Sequence, residues 1–138
     1  MYVPEAFRQD DPEILRGFMR AHPFATLVTG ADNVPQVTHL PLMLENGVLR
    51  GHLARGNPHW KKIAAGQPAL AIFMGPHAYV SPQWYPGKKV DGKTVPTWNY
   101  AVVHAAGGIR VIEDADWLRA HVAALTDQQE APLAEPWK

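Results

Sequence analysis

Val48-Leu49-Arg50-Gly51-His52-Leu53-Ala54-Arg55-Gly56-Asn57-Pro58-His59-Trp60 passes from a strand into the start of a helix with one short turn between them. Glu45-Asn46-Gly47 just before it is a strong hairpin signal, so Val48 to Leu53 reads as the returning strand. Asn57-Pro58 reads as an N-cap with proline at the first helical position, predicting a helix through Trp60, Lys61, Ile63 and Ala64 to Gly66. Arg55 and Gly56 then fall on a turn between two rigid elements, where binding chemistry usually sits.

Upstream, Asp10-Asp11-Pro12-Glu13 opens a helix, with Ile14, Leu15, Phe18 and Met19 on one apolar face. His22-Pro23 ends it, because the residue before proline avoids the helical region. Phe24 to Thr29 reads as a strand, and Gly30-Ala31-Asp32-Asn33 as a turn. Pro35 to Leu44 contains a second strand, with Pro41 marking an end, an edge or a bulge.

Downstream, Ala69 to Met74 reads as a buried strand that Gly75-Pro76 bends and Ala78-Tyr79-Val80 resumes. Trp84 to Thr94 is a loop rich in Pro, Gly and Lys. Trp98 to Val103 is a strand, and Gly107-Gly108 suggests a turn or bulge before a further strand at Ile109 to Ile112. Asp114 or Asp116 starts a last helix through Leu118, Val122 and Leu125, and the tail from Asp127 reads as weakly structured. Many short strands and three helices predict a mainly β fold, a barrel with peripheral helices.

A length of 138 residues fits one domain on the usual scale of about 100–200 residues. The 13 basic and 13 acidic side chains cancel, so no bulk electrostatic footprint for nucleic acid exists. No cysteine is present, which excludes disulfides and thiolate chemistry. The start lacks a basic region followed by an apolar run, and apolar runs fall well short of the ~18 residues of a membrane span. The expectation is a cytoplasmic protein without membrane association.

Three blocks carry chemistry. Around Arg55-Gly56-Asn57, a cation, a small residue and a capped helix start make a phosphate cradle, or else a well-capped surface helix with an incidental Arg. Val95-Pro96-Thr97-Trp98-Asn99-Tyr100 puts Trp98 and Tyr100 on one face and Thr97 and Asn99 on the other. That pattern suits a ligand wall or an aromatic core strand. Gly75 to Tyr85 adds His77, Tyr79, Trp84 and Tyr85. A planar aromatic ligand with an anionic tail needs this mix of flat apolar faces, fixed donors and one cation. His52, His77 and His104 offer three imidazoles, but no metal-like spacing accompanies them, so no metal site is expected. Ser81 lacks a nucleophile elbow. Lys88-Lys89 with Lys93 reads as a solvated loop. His39 faces a cleft or is a hydrogen-bonded core residue.

Together these blocks resemble the PaiB family, described as FMN-binding negative transcriptional regulators. The resemblance rests on Met1-Tyr2-Val3-Pro4 with Phe7, His22-Pro23-Phe24-Ala25-Thr26-Leu27-Val28 and His39-Leu40-Pro41-Leu42. It continues through Gly51-His52-Leu53-Ala54-Arg55 with Asn57-Pro58 and Trp60, Gly75-Pro76-His77-Ala78-Tyr79-Val80-Ser81-Pro82 with Trp84-Tyr85, and Val95-Pro96-Thr97-Trp98-Asn99-Tyr100. It implies an FMN-binding split β-barrel of the pyridoxamine-phosphate-oxidase-like type, a homodimer with FMN at the subunit interface. The strand around His39 would lie near the flavin ring. Ala54, Arg55, Gly56, Asn57 and Pro58 would fall where related barrels hold the phosphate, His52 and Leu53 would come from the same strand end, and Trp60 would belong to the cofactor-binding set. Trp98 and Asn99 would reach FMN from the partner subunit. Family members continue for several dozen residues beyond the last helix, so residues 1–138 are expected to form one split-barrel domain without that C-terminal extension.

Three functions remain open at this point. One is an FMN-binding transcriptional regulator that acts through a partner or metabolite, since neither charge nor motif supports direct DNA contact. The second is a flavin-dependent oxidoreductase. The third is a flavin-free interaction domain.

Overall fold

The computed structural model describes residues 1–30, 33–87 and 92–137. The expected turn residues Ala31 and Asp32 and the basic pair Lys88-Lys89 lie outside the described residues. Helix α1 spans Pro12–Ala21, and strands β1 and β2 span Phe24–Thr29 and Gln36–Pro41. β3 and β4 cover Met43–Glu45 and Val48–Arg50. β5 and β6 are long, at Gln67–Val80 and Thr97–Ile109, and α2 spans Ala115–Glu130. Short 3-10 turns occur at Glu5–Phe7, Pro58–Lys62 and Pro82–Trp84.

The main sheet has the order β2-β1-β5-β6, with every neighbouring pair antiparallel. β3 and β4 form a separate hairpin. Its turn is Asn46-Gly47, with φ of 49° and 78°, the left-handed pair that a two-residue hairpin requires and that Asn-Gly supplies at least cost.

One face of the main sheet is the core. Ala25, Leu27, Leu40, Ala71 and Phe73 cluster there with Leu42. Phe73 is wholly buried, a contribution of about 1.5–3 kcal/mol for a side chain of that size. Phe18 and Met19 of α1, with Leu49 and Leu53, cover the cluster. Asp11 caps α1 by accepting from the Glu13 and Ile14 amides at 2.8 and 3.5 Å, and Pro12 occupies the first turn.

The other face is apolar but uncovered. Phe24, Val37 and Met74 are 67%, 52% and 51% exposed. Thr26 pairs with Ile72, which pairs with His104, and Met74 pairs with Val102. By strand alternation all of these point away from Phe73.

β5 and β6 run on past β1, whose ladder with β5 covers only Ala69–Phe73. Beyond an irregularity between Met74 and His77, at Gly75-Pro76, they continue as a two-stranded ribbon pairing His77 with Tyr100 and Tyr79 with Trp98. The predicted bend and resumption are both present.

Several local expectations are corrected. The strand expected within Pro35–Leu44 divides at Leu42, whose amide turns to donate to the Pro23 carbonyl at 2.9 Å. The strand expected at Val48–Leu53 stops at Arg50. The reason lies at Gly51, where a Cβ would sit 2.6 Å from Leu42 Cδ2 and 3.2 Å from the Pro41 carbonyl; the chain passes too close over the core to stay in the hairpin ladder. The helix expected from Pro58 to Gly66 is only the 3-10 turn Pro58–Lys62. Gln67 accepts the Ala64 amide through its side chain at 2.8 Å, and the Gly66 amide, at φ 79°, donates to Ile109 at 2.7 Å, so the chain enters β5 early. Gly107-Gly108 is no turn: both pair within β6, opposite Ala69 and Pro68, and among the described residues no strand follows Ile109. α2 runs to Glu130 rather than fading at Asp127. Among the described residues there are two α-helices rather than three. No described helix is long and apolar enough to cross a membrane.

Candidate functional site

Asn57 caps the 3-10 turn through Oδ1, which accepts the His59 amide at 2.9 Å. Its Nδ2 donates to Thr38 Oγ1 on β2 at 3.1 Å. The imidazole of His59 lies beneath, hydrogen-bonded through Nε2 to Thr29 Oγ1 and through Nδ1 to Thr38 Oγ1, both at 2.8 Å. His59 and Thr29 are 2% and 1% exposed. Burial, and secondarily the Lys62 charge, hold the His59 pKa below its ordinary value. A neutral ring with both nitrogens satisfied thus fixes the turn to β1 and β2.

On that base the loop displays Arg55. The Arg55 carbonyl accepts from Trp60 Nε1 at 3.1 Å, and the Arg55 Cζ lies 5.0 Å from the Trp60 ring centroid. Nη1 of Arg55 donates to Glu113 Oε2 at 2.8 Å, with the two side chains 74% and 58% exposed. The Ala54 carbonyl accepts the Asn57 amide at 2.9 Å and closes the turn. A Cβ on Gly56 would meet nothing within 4 Å, so the space beside Arg55 is open.

The remaining predicted site residues are dispersed. Leu53 packs on the core cluster. The exposed His52 ring meets His121 of α2 edge-on at 5.5 Å, and His121 stacks on Trp117 at 5.3 Å with an interplanar angle of 12°. His121 is 6% exposed and its Nε2 has no hydrogen-bond partner. Burial first, then His52 and Arg50, lower its pKa against an opposing effect of Glu45. His39 lies on the outward face of β2, bonded through Nδ1 to Thr26 Oγ1 at 3.0 Å and stacked near Phe24 at 6.4 Å. Trp98 sits on the β5–β6 ribbon, its Nε1 donating to His77 Nδ1 at 3.2 Å. Asn99 pairs with Ala78 on the same ribbon. Among the described residues, no hydrogen bond or ring contact joins Trp98 or Asn99 to the Arg55 loop.

Sequence reading gave no role to His59, Glu113 or His121. A histidine two residues after an N-cap carries no distinctive signature, and the Thr29 and Thr38 that complete its network are remote in sequence. Among the described residues no group of three or more His, Asp or Glu is placed to hold a metal ion.

The architecture is mainly β with peripheral helices, of the split β-barrel class. Its fold resembles that of an FAD and heme binding protein from Mycobacterium smegmatis, with a TM-score of 0.67 and 21% identity over 94% of this chain and 60% of that one. It also resembles the flavocytochrome Anf3 from Azotobacter vinelandii, with a TM-score of 0.64 and 19% identity over 97% of this chain and 61% of that one. Residues 1–138 match the family model described as "Putative FMN-binding domain". Among curated proteins, the chain is 38% identical to the protease synthase and sporulation protein PAI 2 of Bacillus subtilis, over 99% of this chain and 65% of that protein. An uncharacterized protein of Saccharomyces cerevisiae is 41% identical over 71% of this chain and 62% of its own length. The chain belongs to this FMN-binding family, the PaiB family, and a flavin is its cofactor. It spans slightly less than two thirds of the length of these two relatives.

The residues present fit such a group. Arg55 gives one Nη1 bond to Glu113 and is otherwise largely exposed, and a guanidinium carries five N–H donors matched to phosphate oxygens. The donor set is cationic, beside open space and a half-buried indole, as a phosphate tail and a flat ring require. The short 3-10 turn contributes little dipole, so a phosphate here would be drawn by the cation rather than by the start of the turn.

Proposed function

We propose that the chain is an FMN-binding, PaiB-like transcriptional regulator that works as a homodimer in the cytoplasm, with the flavin phosphate held by Arg55. The observation that carries this reading is the Arg55 loop: a solvent-facing guanidinium on a turn locked from below by the Asn57–Thr38–His59 network. Preorganisation of this kind lowers the ordering cost of binding. Asn57 serves by fixing the turn, because both ends of its amide are already engaged within the protein.

The uncovered sheet face supports the dimer. Phe24, Val37, Met74 and their half-buried neighbours form a contiguous apolar surface of a kind that monomers rarely leave in water. Thr26, His39 and His104 are polar groups within it, so a second copy seated here brings His39 to the interface. The aromatic ribbon with Trp98 and Asn99 extends beyond β1, and in this reading it reaches across to the partner's flavin.

When bound, FMN supplies redox chemistry of its own, and the protein binds and orients it. Regulation then needs the flavin, or its redox state, to favour one of two conformations or partner-binding states. With zero formal net charge, that output runs through a partner or metabolite rather than bulk attraction to DNA. Titration with FMN and riboflavin, followed by flavin fluorescence, tests the site. Tight FMN binding with much weaker riboflavin binding is expected, and equal affinities would remove the phosphate contact.

A further inference from the structure

We propose that Glu113 sets the anion affinity and selectivity of Arg55, as a resident counter-ion that competes with an incoming phosphate. This rests on the reading of Arg55 as the phosphate ligand. Glu113 lies just after β6 and immediately before Asp114, which caps α2 by accepting the Trp117 amide at 2.7 Å. Its backbone is therefore anchored, and its carboxylate meets Arg55, 58 residues away in sequence, at 2.8 Å.

Arg55 is fixed on its other side. The Trp60 ring lies beneath its guanidinium at 5.0 Å, and Trp60 Nε1 holds its carbonyl. Glu113 takes one Nη1 donor of Arg55 and part of its charge, so an external phosphate competes with the carboxylate for both. A phosphate dianion arriving while the carboxylate remains is repelled, whereas an uncharged ligand with the same ring feels neither partner. Glu113 thus lowers phosphate affinity, leaves neutral flavin affinity unchanged, and shapes the ionic-strength dependence of the site. Both groups face solvent, so the effect is that of an exposed charge pair, about two- to fivefold in affinity.

The test is FMN and riboflavin titration of the full chain carrying Glu113→Gln, Glu113→Ala or Arg55→Ala, each at low and high salt, with a thermal melt of each variant. Both Glu113 variants are expected to bind FMN about two- to fivefold more tightly at low salt, with riboflavin affinity unchanged and the gain reduced at high salt. If Glu113 were only a tether for the loop, Glu113→Gln would leave FMN affinity unchanged and Glu113→Ala would weaken it. Either result, or an equal gain for riboflavin, overturns the inference while a weakened Arg55→Ala keeps the phosphate assignment standing. Unchanged FMN affinity in Arg55→Ala overturns both together.

Discussion

The Nε2 of His59 lies 2.8 Å from the Oγ1 of Thr29, a buried contact between residues 30 apart in the chain. The opposite nitrogen of the same ring meets Thr38, so one imidazole bridges β1, β2 and the turn below Arg55. The local hydrogen-bond pattern holds only when donors and acceptors alternate through the two hydroxyls. A ring of similar size without nitrogens breaks that alternation at both ends.

His59→Phe should therefore destabilise the fold by about 2–4 kcal/mol, because the buried Thr29 hydroxyl loses its imidazole partner and Thr38 keeps only its bond from Asn57. Urea denaturation should show the midpoint moving down. FMN affinity should fall as well, because the Arg55 loop loses its base. An unchanged midpoint would mean that the hydroxyls find other partners and that the network is dispensable.

The pH dependence of stability follows from the same ring and from His121. Both have pKa values lowered from the ordinary 6.5, chiefly by burial. The folded chain then binds fewer protons than the unfolded chain at mildly acidic pH, so acidification favours unfolding. Stability is full above about 6.5 and is lost progressively as pH falls toward the folded-state values. His121→Leu should flatten part of that decline. It also removes a buried nitrogen without a partner, so its stability near neutral pH should be unchanged or higher. Urea midpoints measured across the mildly acidic range check both statements, and identical slopes for the two proteins would exclude His121 as a contributor.

The order of elements was readable because their punctuation is local. Asp11-Pro12, His22-Pro23, Asn46-Gly47 and Gly75-Pro76 each set a start, a stop, a turn or an irregularity through their own backbone preferences. The errors occur where distant contacts decide. Gly51 leaves the ladder because Leu40, Pro41 and Leu42 lie against it. The turn after Pro58 stops short because Gln67 and Ile109 capture amides that a helix would have used. Gly107-Gly108 stays in β6 because strand pairing opposite Ala69 and Pro68 outweighs the intrinsic freedom of glycine. For the site, the Arg55-Gly56-Asn57 turn was legible from capping chemistry. The Glu113 partner was not, since a pair 58 residues apart leaves no periodic or spacing signal.

Arg55→Ala should weaken FMN binding by about 1.5–3 kcal/mol, the scale of a hydrogen bond to a charged group. Riboflavin binding should change far less. Folding should be nearly unaffected, because the Arg55–Glu113 pair is exposed and such pairs contribute little. Fluorescence titration beside a thermal melt separates the two quantities, and a large loss of stability would show that Arg55 is structural.

The dimer assignment is tested on the outward face, where a charge can be introduced without entering the core. Met74 is 51% exposed while its neighbour Phe73 is fully buried on the other side. Met74→Lys should therefore leave the protomer folded, within the ±0.5 kcal/mol typical of surface changes. In a dimer built on this face the lysine would be desolvated among Val102 and Phe24 without a partner charge, a cost of several kcal/mol. Sedimentation velocity should show a dimer for the parent protein and a monomer for the variant. FMN affinity should drop in parallel if the partner's Trp98 or Asn99 completes the site. A monomeric variant with full FMN affinity would confine the site to one subunit, and a variant that remains dimeric would place the interface elsewhere.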